Sequence, residues 1–204
     1  LSGATLTVAP ADTAIACTFT NTRRSATLTL RKAWINARSG ETATVNTSAG
    51  FTNAATSGLS TSTGNNITAG SSVTVFAGES GAITETMTNA ANYNSTVACA
   101  GTSGLSGSTL TVAPADTAIT CTFTNTRRSA TLTLAKTWVN ARSGETATVT
   151  SASFTNNATS GLSTSTGNNT TTGTSVTVFA GEIGTISEAM TNAARHPGAG
   201  RCRV

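Results

Sequence analysis

Three polar side chains fall in the phase where a strand reading puts the core. In ATLTLRKAW (26–34) the apolar positions are Leu28, Leu30 and Trp34, and Lys32 shares their phase. In AITCTFTNT (118–126) Asn125 shares the phase of Ile119, Cys121 and Phe123, and in AITETMT (82–88) Glu85 sits between Ile83 and Met87. Successive side chains of a strand point to opposite faces, so all three aim inward. The pattern recurs as Leu132, Leu134, Lys136, Trp138 and then Ile186, Glu188, Met190. A lone buried charge is prohibitively costly, and a buried ion pair often only breaks even against apolar residues. One reading is a buried Lys32–Glu85 salt bridge with Asn125 as a hydrogen-bonding neighbour; another lets the strand ends bring all three to solvent. The chemical reading is a spontaneous amide bond between the lysine amine and the asparagine carboxamide, with loss of ammonia. An apolar pocket lowers the lysine pKa and supplies a neutral nucleophile. It also keeps the glutamic acid protonated, able to polarise the amide carbonyl and shuttle protons.

The elements that hold these residues are written twice. LTVAPADTAIACTFTNTRRSATLTL at Leu6–Leu30 returns at Leu110–Leu134 with one change, a shift of 104. FTNAATSGLSTSTGNN at Phe51 returns, with one change, at Phe154, a shift of 103. Such long-period self-similarity marks an array of domains. Leu1 aligns with Leu105, late in the first copy, so the chain starts inside a repeat. The expected division is a set of C-terminal strands over 1–24, a complete repeat over 25–128, and the N-terminal part of a second repeat over 129–204. That part is completed by residues 1–24 of a neighbour. Either a neighbouring chain supplies the strands, or the sequence is a two-repeat excerpt of a longer tandem array. Both give a head-to-tail filament or stalk.

Thr/Val-rich alternations separated by Gly, Asn and Ser clusters predict an all-β fold. Strands are expected near 26–36, 41–45, 72–76, 82–88, 95–100, 109–112 and 118–126, with one or two more in 51–67. About seven strands per repeat suits tandem immunoglobulin-like or prealbumin-like β-sandwich domains. Charged residues are only 10% and hydrophobic ones 37% of the 204, so each core is thin. The net charge of +4 comes from scattered basic residues, apart from Arg23-Arg24 and Arg127-Arg128 at a junction, which argues against nucleic-acid binding. No run is long enough for a transmembrane helix. The only aspartates, Asp12 and Asp116, are too few for calcium-stapled adhesin domains. No cofactor or metal is expected.

The four cysteines are Cys17, Cys99, Cys121 and Cys202. With no CxxC and no nearby histidine, disulfides are favoured over a metal site, and an oxidising compartment follows. Cys99 and Cys121 lie on the last strands of the complete repeat and can pair. By repeat equivalence Cys202 pairs with a Cys17 of a neighbouring chain or repeat. The stretch 194–204, ARHPGAGRCRV, departs from its counterpart, and its His196 supports no catalytic assignment.

The order LTLRKAW, AGESGAITETMTNAANY, CTFTNTR resembles collagen-adhesin B-type (CnaB, SpaA-like) domains, the prealbumin-like modules of bacterial pilins and surface adhesins. That resemblance implies a bond from Lys32 to Asn125, assisted by Glu85. In the split domain it implies Lys136 and Glu188 with Asn21. The lysine here is followed by Ala-Trp or Thr-Trp where the family usually continues with polar, acidic residues. The expectation is therefore a structural unit of an extracellular bacterial filament or adhesin stalk, partnered by copies of itself. The alternative is a glycan- or surface-binding module using SGLSTSTGNN at Ser57 and Ser160, which has few aromatics for sugar stacking. No Ser/His/Asp set, carboxylate pair or phosphate loop suggests an enzyme.

Overall fold

Apolar alternation fixes the first strand. In β1 (Ser25–Ile35), Ala26, Leu28, Leu30, Lys32 and Trp34 are buried, while Ser25, Thr27, Arg31 and Ile35 face solvent. The structure, a computed structural model, describes residues 5–193. Within the first repeat follow β2 (Thr42–Thr47), β3 (Ser60–Thr61), β4 (Asn66–Ala69), β5 (Val73–Phe76), β6 (Ser80–Met87), β7 (Tyr93–Ala100), β8 (Leu105–Ser106), β9 (Thr109–Thr111) and β10 (Ala118–Arg127). All seven expected strands are present. The short β3 and β4 lie in or beside the stretch left open, and β8 is an addition.

These strands form a sandwich of two five-stranded sheets. One runs β4-β1-β10-β7, with β5 continuing the β4 edge of β1. The other runs β3-β2-β6-β9-β8. Between them lie Leu28, Leu30, Val45, Val75, Ile83, Leu110, Val112 and Ile119, almost wholly shielded from water. A second cluster at the end of the sandwich packs Trp34 edge-on against Tyr93, with Ala37, Ala43 and Met87. The first strand and the last are neighbours: β1 and β10 pair in parallel from Thr27↔Ala118 to Ile35↔Thr126.

The second repeat repeats the scaffold with β11 (Ser129–Leu132), β12 (Ala135–Trp138), β13 (Thr146–Ala152), β14 (Ser163–Thr164), β15 (Asn169–Thr172), β16 (Val176–Phe179) and β17 (Thr185–Met190). β11 pairs β16, β12 pairs β15, and β13 lies between β14 and β17. Among the described residues nothing takes the place beside β11 and β12 that β10 takes beside β1. The consequence is visible in matched side chains: Ile83 is 1% exposed, its counterpart Ile186 is 42% exposed.

Residues 6–24 form no strand. Leu6, Val8, Ile15 and Phe19 are exposed, although their counterparts Leu110, Val112 and Ile119 are core residues of the complete repeat. The same sequence is a buried strand where it has a sheet to join and an uncovered segment where it has none.

Ile83→Ala is expected to cost the first repeat about 2–5 kcal/mol, the usual loss for a fully buried isoleucine. Ile186→Ala, half in water, should cost under about 1 kcal/mol in dilute monomeric chain, scaled down with its smaller buried area. Urea unfolding of the two variants measures this, and equal losses would contradict the difference in burial.

Candidate functional site

β1, β6 and β10 bring Lys32, Glu85 and Asn125 together at the boundary of the two core clusters. Because β1 and β10 are parallel, Lys32 lies opposite Phe123 and Asn125 opposite Trp34, so the lysine and the amide are diagonal neighbours on one face. Glu85 reaches them from the facing sheet, where it pairs with Val45. Lys32 Nζ is 3.0 Å from Glu85 Oε1, with the lysine wholly buried and the glutamate side chain 6% exposed. Asn125 Nδ2 donates to Glu85 Oε2 at 3.0 Å. One carboxylate therefore bridges the amine and the amide.

Other atoms complete the pocket. Lys32 Nζ donates to the Ala33 carbonyl at 3.0 Å and sits 4.1 Å from the centre of the Trp34 ring, a cation–π distance. Asn125 Nδ2 also contacts Met87 Sδ. Asn125 Oδ1 is buried and accepts no hydrogen bond from the described residues. Turning the amide over would set Oδ1 against Glu85 Oε2, an arrangement that needs a protonated carboxyl. Burial pulls the Lys32 ammonium below the usual lysine range, opposed by the hydrogen bond and charge of Glu85. Trp34 and Met87 were legible only as core positions; that they wall this pocket depends on the register between β1, β6 and β10.

In the second repeat, Lys136 Nζ and Glu188 Oε1 are 2.7 Å apart, and the lysine lies 4.4 Å from the Trp138 ring. Their side chains are 15% and 28% exposed, and among the described residues no strand lies beside β12 as β10 lies beside β1. Asn21 lies in the exposed segment before β1 and is not brought to this pair. Cys99 and Cys121, cross-strand partners on β7 and β10, are joined as a disulfide. Cys17 is a free, exposed thiol. Cys202 and His196 lie outside the described residues.

The Thr/Asn-rich loops are committed to the fold. Ser57 Oγ accepts from Val45 N, Ser60 Oγ from Trp34 Nε1, and Ser62 Oγ from Gly64 N. Asn65 Oδ1 accepts from Asn36 N, and Asn66 bonds Thr63 N and the Thr61 carbonyl. The second loop repeats these bonds through Ser160, Ser163, Ser165, Asn168 and Asn169. No group of three or more metal-ligating side chains occurs among the described residues.

A family model described as a prealbumin-like fold domain, of the SpaA type, matches residues 23–123 and again 127–203. No curated protein and no solved structure shows a significant match to the chain.

Removing one member of a buried pair strands the other, at a cost of about 3–5 kcal/mol. Glu85→Gln should therefore destabilise the first repeat more than the double change Lys32→Met, Glu85→Leu does. Glu188→Gln, at a partly solvated pair, should cost under about 1 kcal/mol. Chemical denaturation of the three variants tests the ranking, and a double variant weaker than Glu85→Gln would break it.

Proposed function

The chain belongs to the family of SpaA-type prealbumin-like fold domains, and from that premise we propose that it is a structural repeat unit of an extracellular bacterial filament or adhesin stalk. Domains of this family are structural and not enzymatic, and are typical of extracellular surface proteins. Among the described residues no helix is long and apolar enough to cross a membrane. The units are residues 25–128, self-contained, and 129–204 completed by residues 1–24 of an adjoining copy, arriving through chain continuity or from a second molecule.

The observation that carries this reading is the matched pair of defects. The segment 6–24 leaves Phe19 85% exposed. The second repeat leaves Ile186 half bare and, among the described residues, one edge of β11–β12 without a strand. Each supplies what the other lacks: main-chain donors and acceptors for the open edge, and apolar side chains for the open core. A contact from head to tail does not close on itself, so it propagates into a fibre.

Covalent bonds staple each unit. Proton transfer from Lys32 to Glu85 gives a neutral amine, which attacks the Asn125 carboxamide carbon. Glu85 returns that proton to the leaving nitrogen, the C–N bond of the carboxamide breaks and ammonia departs; the new amide nitrogen gives up its second proton to Glu85, and a Lys–Asn amide remains. Lys136, Glu188 and an adjoining copy's Asn21 form the same set across the completed domain, and Cys202 pairs with that copy's Cys17. Each strand supplied by a neighbour is then bonded at both of its edges.

Intact-mass measurement under reducing conditions should fall about 17 Da below the sequence mass for each amide bond formed, the mass of one ammonia. A mass equal to the sequence mass leaves only the ion pair. Light scattering after size exclusion should find multiples of the chain, linked by Cys17–Cys202 peptides on non-reducing digestion. Phe19→Asp or removal of residues 1–22 should leave monomer. A monomeric parent chain at high concentration would overturn the complementation.

A further inference from the structure

The junction between the repeats carries a clasp that the chain builds twice. At the end of β10, Arg127 Nε donates to the Ala180 carbonyl at 2.8 Å, its Nη1 lies 3.8 Å from Glu182 Oε1, and its guanidinium stacks 5.6 Å from the Phe179 ring centre. Glu182 is itself tied down: Oε2 accepts from Phe179 N at 3.0 Å, and Oε1 from Thr155 N and the Thr155 hydroxyl. Ahead of β1, Arg23 does the same to the first repeat. It donates to the Ala77 carbonyl at 2.9 and 2.7 Å, lies 3.6 Å from Glu79 and stacks on Phe76 at 5.5 Å. The neighbouring backbone follows suit, Ala77 N donating to Arg24 O and Ala180 N to Arg128 O.

The two clasps differ in one respect. The Arg127 side chain is 7% exposed and that of Arg23 is 52% exposed. Residues of the preceding repeat gather around the Arg127 clasp and its neighbour Arg128. There Asn92 O accepts from Arg128 N, Asn94 Oδ1 accepts from Arg128 Nε, and Arg38 lines the junction cleft with Phe154 and Ile183. The Asn92 side chain occupies the space over Gly181, where a Cβ would come within 2.7 Å of Nδ2 and where φ is +78°. Over the equivalent Gly78 only Arg23 Nη2 approaches, at 3.9 Å.

We propose that this arginine clasp is an orientation lock between successive repeats, and that the uncovered clasp around Arg23 is the seat for a preceding copy of the repeat. A buried guanidinium bonded to a carbonyl, a fixed carboxylate and an aromatic face permits one geometry, so each repeat is set at the same angle to the last. The last strand of one repeat and the socket of the next are then a single rigid connection, and the array is a rod of constant twist instead of beads on a flexible string. Burial opposes ionisation of Glu182, yet its hydrogen bonds from Phe179 and Thr155 and the Arg127 charge hold its carboxyl below the usual range, so the clasp stays charged. The inference rests on the serial stacking proposed above, but its geometry lies inside one chain.

Nitroxide labels on Thr61→Cys and Thr164→Cys, exposed equivalents in the two repeats, read that angle as a distance. Cys17 and Cys202 are replaced by serine and the protein is kept dilute, so no bond or contact between copies contributes. Double electron–electron resonance should give one narrow distribution in the parent, broadened at least twofold by both Arg127→Ala and Glu182→Gln. Should Arg127→Ala fail to fold, Glu182→Gln alone decides. A distribution already broad in the parent, or unchanged by Glu182→Gln, overturns the lock while leaving assembly through residues 1–24 untouched.

Discussion

The parallel pairing of β1 with β10 is the constraint on which the rest of the repeat depends. It joins the first strand to the last, so roughly a hundred residues of chain must be ordered before either strand has its full set of main-chain partners. It also sets the two ends of the repeat at opposite ends of one strand pair. Tension entering at Ser25 and leaving at Arg127 loads the hydrogen bonds of that pair together, in shear, and does not peel them open singly. β10 is held on its other edge by β7 and the Cys99–Cys121 disulfide. One strand therefore carries both cross-links that the site and the cysteines can provide.

The polar pocket follows from the same pairing. Parallel register puts Asn125 one step diagonally from Lys32, and the facing sheet delivers Glu85 to both. Trp34 and Met87 close the walls, and burial there pulls the lysine below its usual range against the hydrogen bond and charge of Glu85. The second repeat provides the control. Lys136 and Glu188 meet as closely, but with no last strand over them among the described residues they are a partly solvated ion pair. Proximity of lysine and glutamate is a property of the first half of the repeat; the enclosed environment belongs to the strand that closes it.

A chain this poor in charge and aromatics closes its sandwich with serines. Ser57, Ser60 and Ser62 are buried because each satisfies a group the core would otherwise strand, including the Trp34 indole. Their strict recurrence at Ser160, Ser163 and Ser165 has a structural cause. Leu59 and Leu162, the apolar residues of these loops, are the ones left facing water.

What the amino-acid order settled alone is local. The alternation of apolar and polar residues placed seven strands and aimed Lys32, Glu85 and Asn125 inward. The turn APAD forms in two settings with the same bond: Asp12 Oδ2 accepts from Ala9 N at 2.8 Å in the uncovered segment, and Asp116 Oδ2 from Ala113 N at 2.9 Å at the surface of the first repeat. A side chain that bonds its own backbone three residues away needs no tertiary partner. The flanking strands behave otherwise. Val8 and Phe19 have the same neighbours in sequence as Val112 and Phe123, yet they are exposed while Val112 is buried and Phe123 partly so. A strand's hydrogen bonds and its apolar face are satisfied only by another strand and another sheet. Whether these residues are core or surface, whether the lysine meets an amide, and how Arg127 and Asn92 meet the next repeat were decided by tertiary structure.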